Sequence, residues 1–471
     1  MRENKDTQSL NVHIAVENFG PIEKAEIDLR PLTVFVGESN TGKTYLATLV
    51  YVLFNTFEGF SRVPLPHSII SLLKHSRFIS QKELDEETLE TLKKLNICGQ
   101  PFKFSDLPQW LCKHILRGFN NSEHFAGELK RCFDPASVSE LIRFTGNKGN
   151  KLKVSLKVSE KNQPLWNFGM KNSGSDIAVD GNVNEDMTLH IKDERISQEI
   201  LGLEDLTLLL QANRSETPDF YYLPAARGGI METRGIISNS LIDIATPGGS
   251  EHFTKDSTFS GMIADFLKQI INYKEVRMPS REIAEIANLL EKEVLRGEVE
   301  VKSPAGGFPE FLYHPRGAEQ GLRMSQSSSM VSELAPLVLF LRGVVKPRDT
   351  LIIEEPEAHL HPRAQTKIAI TLARLVRAGV RVIITTHSDW LLEQISNLVR
   401  EGEVMKLGKS KTEPTTWLTT EEVGAWLFHA DKPVEELKFD RIEGYNPPDF
   451  YDVSSGLYNS AVEFQQQLQE E

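Results

Sequence analysis

Residues 37–44 (GESNTGKT) place two glycines around a short polar stretch and end in Lys-Thr. They follow a strand-like apolar run, Leu32–Val36, and precede an apolar segment of helical length, Tyr45–Phe54. Gly37 and Gly42 permit the tight turns that aim successive backbone N–H groups at one anion. A helix starting here would direct roughly half a positive charge at the same point. A chance match in an ordinary strand-turn-helix is the alternative, but the complete motif in this context favours a phosphate-binding loop, the P-loop.

The P-loop predicts a site for a nucleoside triphosphate. Lys43 is expected to reach the β- and γ-phosphates, and Thr44 to supply a hydroxyl to Mg²⁺. The loop residues predicted to hold the nucleotide are Gly37, Asn40, Thr41, Gly42, Lys43 and Thr44.

Composition limits where the protein works and what it binds. The 471 residues suggest about three domain-sized units. A formal charge of −13 argues against a surface that is basic throughout, although a local DNA-binding patch stays open. No run approaches the ~20 apolar residues that cross a bilayer, and the polar N-terminus lacks a signal-peptide core. Cys98, Cys112 and Cys132 have no C-x-x-C spacing. We therefore expect a cytoplasmic protein without a membrane partner.

Residues 58–217 differ in character from the sequence on either side. Lys82–Leu95 has the charge spacing of an exposed amphipathic helix. Lys151–Val158 and Met187–Lys192 alternate with period two, which predicts two strands that form a hairpin or a small sheet. Asn172–Asn184 is rich in Gly, Asp, Ser and Asn, and is interpreted as the loop between them.

Three features each allow two interpretations. Lys103–Phe133 mixes aromatic and basic residues, so it fits a nucleic-acid surface or, preferably, a solvated helical face beside a small core. Phe19 fits adenine stacking, although a core or turn position is favoured. Arg227, which follows the buried-strand pattern Asp219–Pro224, fits contact with phosphate or a partner subunit, or an ordinary turn.

Five further elements complete the pattern of the later chain. Ser280–Arg296 has a favoured N-cap and predicts a helix, while Glu298–Val301 and Glu310–Tyr313 predict short strands. Near the end, Leu418–Phe428 is interpreted as helix-like and is followed by a polar C-terminal helix.

Carboxylates follow a second buried strand pattern, Thr350–Ile353. Carboxyl ends of parallel strands meet at one sheet edge, where ligands gather. There Glu354 would help hold hydrated Mg²⁺, and Glu355 would orient and polarise the attacking water. His387 follows another strand pattern, Arg381–Thr386, and is expected to contact the γ-phosphate or the water; a structural role is the alternative.

Serines precede an apolar helix pattern within Met324–Leu341. Hydroxyls, free N–H groups and the helix dipole together form an anion trap, and a Ser-rich cap and loop is the alternative. The order of elements along the chain favours the anion trap.

Taken in order, these residues resemble the ABC/SMC-like ATPases, and more closely the prokaryotic AAA-15 and OLD-type branch. The resemblance covers about half of the chain. It is carried by ENFGPI (17–22), GESNTGKT (37–44), YYLPAAR (221–227), SSMVSEL (328–334), LIIEEPEAHLHP (351–362) and TTHS (385–388).

The resemblance implies an α/β fold: a two-lobed ABC-type P-loop ATPase head with a mixed helical and β insert. The implied divisions are an N-terminal part of the head (1–57), the insert (58–217), a C-terminal part of the head (218–400) and a C-terminal extension (401–471).

The resemblance further implies ATP hydrolysis, with ATP and Mg²⁺ held at a composite site in a homodimer or larger homo-oligomer. Ser328 and Ser329 (the signature serines) would contact the γ-phosphate of a neighbouring subunit, with His359–His361 in the interface loop. Met330 departs from the family pattern, which has glycine there and so allows closer backbone approach.

The resemblance also suggests a biological role. OLD-type proteins often carry a C-terminal TOPRIM nuclease, but only about 80 residues follow His387 and they show no convincing acidic triad. ATPase subunits of anti-phage systems such as PARIS and Septu have this shape, and each is accompanied by a nuclease-type effector. The leading hypothesis is therefore an ATP-dependent sensor or scaffold that controls an effector encoded nearby. The alternative is a RecF/SMC-like repair clamp that closes on duplex DNA, and a third hypothesis gives the chain its own nuclease activity. A P-loop kinase is disfavoured because the paired acids and His387 suit water as the acceptor.

Overall fold

The computed structural model describes residues 10–57, 59–60, 102–107, 109–135, 137–143, 151–173, 176–189, 218–233, 259–274, 280–302, 308–408 and 416–469. The chain forms two compact units, one from residues 1–29 and 48–220, the other from residues 30–47 and 221–471. The helix predicted at Lys82–Leu95 lies outside the described residues. The division at 57/58, 217/218 and 400/401 stays a prediction.

The described residues of the first unit form an antiparallel sheet, a short two-stranded ladder and helices. Its strands are β1 (Asn11–Phe19), β2 (Ile22–Asp28), β4 (Phe102–Lys103), β5 (Lys153–Glu160), β6 (Gln163–Ser173), β7 (Asp176–Val183) and β8 (Thr188–Leu189). Its helices are α2 (Gln109–Phe119) and α3 (Ser122–Phe133), with 3₁₀ turns at Phe104–Asp106 and Val138–Leu141. The five-stranded sheet has the order β2-β1-β5-β6-β7, and β4 pairs with β8. Alternate residues of β1 and β5 are buried, as expected for a sheet with one covered face.

An aromatic cluster forms the core of this unit. The ring of Phe57 lies 5.3 Å from that of Trp166 and 5.0 Å from that of Phe168. Phe119 packs edge-on against Trp166 at 5.4 Å. Side chains of this size supply much of the apolar area that stabilises a small unit.

The loop predicted at Asn172–Asn184 is wrong, because β7 and the end of β6 occupy most of it. Gly181 suggested a loop, but a side chain there would collide with the ring of Phe119, 2.1 Å from the ideal Cβ position. The glycine therefore serves close packing within a strand. The strand predicted at Met187–Lys192 is described only as far as residue 189, and it pairs with β4 and not with β5.

Two of the open alternatives concern this unit, and the structure resolves the one about Phe19. Phe19 is fully buried with its ring 5.4 Å from that of Phe133, so it is a core residue and adenine stacking is excluded. Lys103–Phe133 contains two amphipathic helices, whose apolar residues, such as Leu111 and Leu129, are buried while Lys113 and Lys130 are exposed. This arrangement fits the solvated helical face that the sequence favoured, and the nucleic-acid surface stays an open alternative.

The second unit is built on a mostly parallel sheet. Its strands are β3 (Leu32–Gly37), β9 (Phe220–Leu223), β10 (Gly297–Lys302), β11 (Glu310–Pro315), β12 (Leu322–Arg323), β13 (Thr350–Glu354), β14 (Arg381–Thr386), β15 (Val423–Phe428) and β16 (Glu435–Leu437). Its helices are α4 (Gly261–Ile271), α5 (Arg281–Leu290), α6 (Ser329–Gly343), α7 (Pro362–Arg377), α8 (Asp389–Lys406) and α9 (Pro448–Gln469). A π-helical turn follows α5 at Glu291–Leu295, and a 3₁₀ turn lies at Met324–Gln326. Helix α1 (Lys43–Phe57) starts in this unit and ends in the first.

The large sheet has six strands in the order β16-β15-β3-β14-β13-β9. Strands β15, β3, β14 and β13 run parallel to one another, while β16 pairs antiparallel with β15. Strand β3, which enters the P-loop, is buried along its whole length. Parallel strands are covered on both faces, which explains their continuous apolar runs. The second sheet, β10-β11-β12, is antiparallel. The α/β class predicted from the sequence is confirmed.

The helix predicted over Leu418–Phe428 is wrong, because residues 423–428 form β15 beside β3. All six residues of β15 are buried, and a buried apolar run of this length does not distinguish strand from helix by periodicity. The helix predicted over Ser280–Arg296 is confirmed, with the Ser280 hydroxyl accepting from the backbone N–H of Ile283. The strands predicted at Glu298–Val301 and Glu310–Tyr313 are confirmed as β10 and β11, and the C-terminal helix as α9. Within the described ranges, no helix is both long enough and apolar enough to span a bilayer.

Candidate nucleotide-binding site

Three neighbouring strands of the large sheet deliver the predicted site residues to one edge. Val36 of β3 pairs with Thr386 of β14, and Thr385 pairs in turn with Glu354 of β13. Because these strands are parallel, their carboxyl ends lie at the same edge, and so do the segments that follow them. The P-loop, the paired acids and His387 are thus neighbours in the second unit, although the two acids lie more than 300 residues from the P-loop in sequence.

The backbone of the P-loop has the conformation that its glycines predicted. Gly37 has φ +140° and Gly42 has φ +104°, values that side chains rarely tolerate. A Cβ on Gly37 would lie 2.4 Å from the carbonyl oxygen of Phe428 on β15. Asn40 adopts the left-handed region with φ 64°, which asparagine accepts more readily than most residues.

Lys43 is folded into the P-loop and is only 5% exposed. Its Nζ donates to the carbonyl oxygens of Gly37 at 3.0 Å and Glu38 at 2.5 Å. Burial lowers the pKa of Lys43 to about 8, while the nearby carboxylates of Glu355 and Glu357 act in the opposite direction. Lys43 and Glu355, both predicted as site residues, are therefore close enough to influence each other's charge.

The start of α1 has the properties of an anion site. The helix begins at Lys43, its first turn contains no acidic residue, and Thr44 is exposed. The first N–H groups of a helix have no partner within it, so they remain available to a phosphate. Thr41 is buried, and its hydroxyl donates to the carbonyl of Glu38 at 2.8 Å, which holds the loop together.

Glu354 is buried at the end of β13, with 6% of its surface exposed. One carboxylate oxygen, Oε2, accepts from the backbone N–H of Ala225 at 2.9 Å. The other, Oε1, has no hydrogen-bond partner among the described residues. A buried carboxylate oxygen without a hydrogen-bond partner costs free energy unless a ligand binds it. Oxygen is the ligand that Mg²⁺ prefers, so the site fits a hydrated Mg²⁺.

Glu355 is partly exposed and has the backbone conformation φ 42°. Its N–H donates to the carbonyl of Thr385 at 3.0 Å, and its Oε1 lies 3.5 Å from Nε2 of His387. The interaction with His387 is the main cause that lowers the pKa of Glu355, with Lys43 contributing. A carboxylate with a lowered pKa is ionised at neutral pH and accepts hydrogen bonds from water.

Glu357 is a member of the site for which no role was predicted from the sequence. It is 8% exposed, and its Oε1 accepts from the hydroxyl of Thr386 at 2.5 Å and from the N–H of His387 at 2.9 Å. Burial raises the pKa of its carboxyl. Glu357 therefore fixes the backbone from which His387 projects. The sequence feature that could have identified Glu357 is its position two residues after Glu355, in the turn that follows β13.

The surface roles considered for Arg227 are wrong, because only 1% of its side chain is exposed. Its guanidinium donates to main-chain carbonyls inside the unit, including that of Glu354 at 2.5 Å. Neither a phosphate nor a partner subunit can reach a group buried in this way.

The signature serines lie on another element, at the start of α6. Ser328 is the N-cap and Ser329 the first residue of the helix; both are exposed, and Ser328 makes no side-chain capping bond. Neither serine donates to the P-loop in the described part of the chain. Met330 is partly buried against the core. In the interface loop expected from the resemblance, His359 is exposed with φ 60°, and His361 caps α7 by accepting from the N–H of Arg363.

Two family models that describe AAA-type domains match this chain. Residues 12–218 match the family model AAA_15, described as an AAA ATPase domain. Residues 237–393 match AAA_21, described as an AAA domain, putative AbiEii toxin, Type IV TA system. No curated protein matches the chain.

Several solved structures are similar over most of their length. The SMC head bound to the C-winged helix domain of ScpA shares 11% identity, with 91% of this chain and 98% of that chain covered and a TM-score of 0.42. The SMC head domain from Thermotoga maritima shares 10%, with 91% and 99% covered and a TM-score of 0.35. The recombination mediator RecF bound to ATP shares 10%, with 92% and 99% covered and a TM-score of 0.37. Because these TM-scores are low, the assignment of ATPase function rests on the family matches and on the residues of the site. The chain carries ATPase-domain sequence of the AAA_15 and AAA_21 types, and it is an ATP hydrolase.

Proposed function

We propose that this chain is an ABC-type ATPase that works as an ATP-dependent sensor or scaffold, and that its ATP-bound assembly controls a partner effector, which we expect to be a nuclease. The observation that carries the proposal is the single sheet edge where the P-loop, Glu354, Glu355 and His387 meet. Such an edge suits attack of water on a triphosphate, since positioning and electrostatics supply most of the catalysis in phosphoryl transfer.

Each residue at this edge has a proposed task. The P-loop amides and Lys43 would bind the β- and γ-phosphates, and Thr44 and Glu354 would hold Mg²⁺ through oxygen ligands. When bound, Mg²⁺ would neutralise charge that develops on the phosphate oxygens. Glu355, ionised at neutral pH, would accept a hydrogen bond from the attacking water and orient it. His387, 3.5 Å from Glu355, would bind the water or the γ-phosphate.

The signature serines support assembly as part of the mechanism. Ser328 and Ser329 are exposed at a helix N-terminus and do not contribute to the P-loop of their own chain in the described residues. Hydroxyls and free N–H groups at such a terminus suit the γ-phosphate of a second copy. We therefore propose a homodimer or larger homo-oligomer whose ATP sites are completed across the interface.

The proposed role in anti-phage defence rests on resemblance. The matching pieces of sequence resemble ATPase subunits of systems such as PARIS and Septu, and one matching family model is described in terms of a toxin–antitoxin system. The effector would then be a separate chain encoded nearby, and the site of action the cytoplasm. Fold-level analogy supplies this part of the proposal, and experiment has to identify the partner.

The test is to purify the chain together with the products of neighbouring genes, and to measure the mass of the assembly with and without a non-hydrolysable ATP analogue. The proposal predicts a nucleotide-dependent change in assembly and a co-purifying effector. An unchanged mass and no retained partner would contradict it. The same preparations are tested for duplex DNA binding. Nucleotide-dependent, salt-sensitive binding without an effector would favour the RecF/SMC-like clamp instead.

A further inference from the structure

Arg227 is a buried arginine that binds the backbone of both paired acids. Its Nη1 donates to the carbonyl oxygen of Glu354 at 2.5 Å, and its Nη2 to that of Glu355 at 3.0 Å. Nη1 also donates to the carbonyl of Pro224 at 3.1 Å, which anchors the arginine to the segment that follows β9. A rigid, planar guanidinium can hold several acceptors in fixed relative positions, which the single ammonium of a lysine cannot do.

The backbone that Arg227 binds is strained. Glu355 has φ 42°, a conformation that is unfavourable for a non-glycine residue and persists only where its surroundings enforce it. On one side its N–H donates to Thr385, and on the other its carbonyl accepts from Arg227. These two restraints determine where the Glu355 side chain points, and so they determine its 3.5 Å approach to His387.

The remaining edge of the guanidinium faces α6. Nε of Arg227 donates to the carbonyl of Glu333 at 3.0 Å and forms an ion pair with its carboxylate at 3.2 Å. Glu333 is also buried, and the backbone of Gly228 hydrogen-bonds the same carboxylate. A Cβ at Gly228 would lie 2.5 Å from Oε1 of Glu333, so the glycine permits this close contact.

Glu333 lies one helical turn after Ser329 on α6. The guanidinium is thus a direct physical link from the helix that starts with the signature serines to the carbonyl of the catalytic acid. Because burying an ion pair costs about as much as its attraction returns, net stability is a weak reason for its presence. A better reason for the presence of this ion pair is that it helps to hold the backbone of Glu355 in its observed conformation.

We propose that Arg227 is a positioning residue for Glu355, and that its contact with Glu333 transmits the state of the signature end of α6 to the water-orienting carboxylate. The inference rests on the proposed function, since it requires Glu355 to orient the attacking water. A neighbour's phosphate bound at Ser328 would then affect the catalytic acid of the subunit that carries the serine.

The test compares Arg227→Lys with Arg342→Lys. Arg342 lies at the other end of α6, has 11% of its side chain exposed and forms an ion pair with the buried Glu291 at 2.6 Å, so it controls for loss of a largely buried, paired arginine. Arg227→Lys is expected to retain the affinity for a non-hydrolysable ATP analogue while kcat falls about 10- to 100-fold, the cost of a misplaced catalytic group. Arg342→Lys is expected to retain the wild-type kcat. Wild-type kcat in Arg227→Lys, or an equal fall in both variants, would overturn the inference.

Two further variants keep the inference testable if Arg227→Lys folds poorly. In Arg227→Ala, added guanidinium ion is expected to restore part of the lost kcat without changing nucleotide affinity. In Glu333→Gln, which keeps the shape of the side chain but removes its charge, kcat is expected to fall while affinity stays. Absence of both effects would also overturn the inference.

Glu355→Gln separates the inference from the function on which it rests. If this variant hydrolyses ATP at the wild-type rate, the proposed role of Glu355 fails. If Glu355→Gln hydrolyses ATP much more slowly than the wild type while Arg227→Lys has the wild-type kcat, only the proposed positioning role of Arg227 is contradicted.

Discussion

Nucleotide binding is predicted to take up protons at alkaline pH, because burial lowers the pKa of Lys43 to about 8. In the free protein, about a tenth of Lys43 side chains are neutral near pH 7, about half near pH 8 and about nine-tenths near pH 9. A bound triphosphate would keep Lys43 protonated, since an opposite charge favours the charged form. Binding should therefore take up about half a proton near pH 8, and well above that pH the affinity should fall by about tenfold per pH unit.

Calorimetric titration with a non-hydrolysable ATP analogue measures this uptake directly. The titration is repeated in buffers of different ionisation enthalpy, and the dependence of the heat on the buffer gives the number of protons. Lys43→Arg is the matched control, because a guanidinium stays protonated throughout this range and should show no uptake. No uptake by the wild type near pH 8, or equal uptake by Lys43→Arg, would refute the assignment of Lys43 as a buried phosphate ligand.

Three substitutions test other parts of the site. Gly37→Ala would force a Cβ to 2.4 Å from the carbonyl of Phe428 at φ +140°, so urea denaturation should show a loss of at least about 2 kcal/mol. Gly229→Ala, where a Cβ meets nothing within 4 Å, is the control, and an equal loss there would contradict the steric argument. Glu357→Ala leaves two donors without their acceptor and should reduce the free energy of unfolding by about 1–3 kcal/mol; unchanged stability would exclude Glu357 as the anchor of that turn. Ser328→Arg should leave analogue binding intact but abolish nucleotide-dependent assembly in light scattering, and normal assembly would show that this serine does not face a neighbour.

The parallel core of the second unit could be predicted from the sequence because its signals are local. Leu32–Gly37, Thr350–Glu354 and Arg381–Thr386 are apolar runs that each end in a polar or glycine-rich segment. The carboxyl ends of parallel strands meet at one edge of the sheet, so the sequence alone predicts that Lys43 and Glu355 lie near one another.

Other elements could not be predicted because their determinants are distant in sequence. Val423–Phe428 has the same apolar character as a buried helix, and only its pairing with β3 makes it a strand. Gly181 suggested a loop because the ring of Phe119 that covers it lies about 60 residues away.

The interior role of Arg227 was missed for a similar reason. An arginine before two glycines suggests a surface turn, and arginine is rarely fully buried unless it is paired. Apart from the carbonyl of Pro224, its acceptors are the carbonyls of Glu333, Glu354 and Glu355, which lie more than 100 residues further along the chain. No local pattern identifies partners at that separation.

Single-turnover hydrolysis of ATP by Glu355→Gln tests the central claim most directly, namely that the P-loop and the paired acids act on one nucleotide. The variant is predicted to bind ATP with wild-type affinity and to hydrolyse it at least about 100-fold more slowly, because the amide cannot polarise water as the carboxylate does. Lys43→Ala, measured alongside, should lose binding itself. Wild-type hydrolysis by Glu355→Gln would contradict the account, because the carboxylate at this sheet edge would then have no part in the reaction.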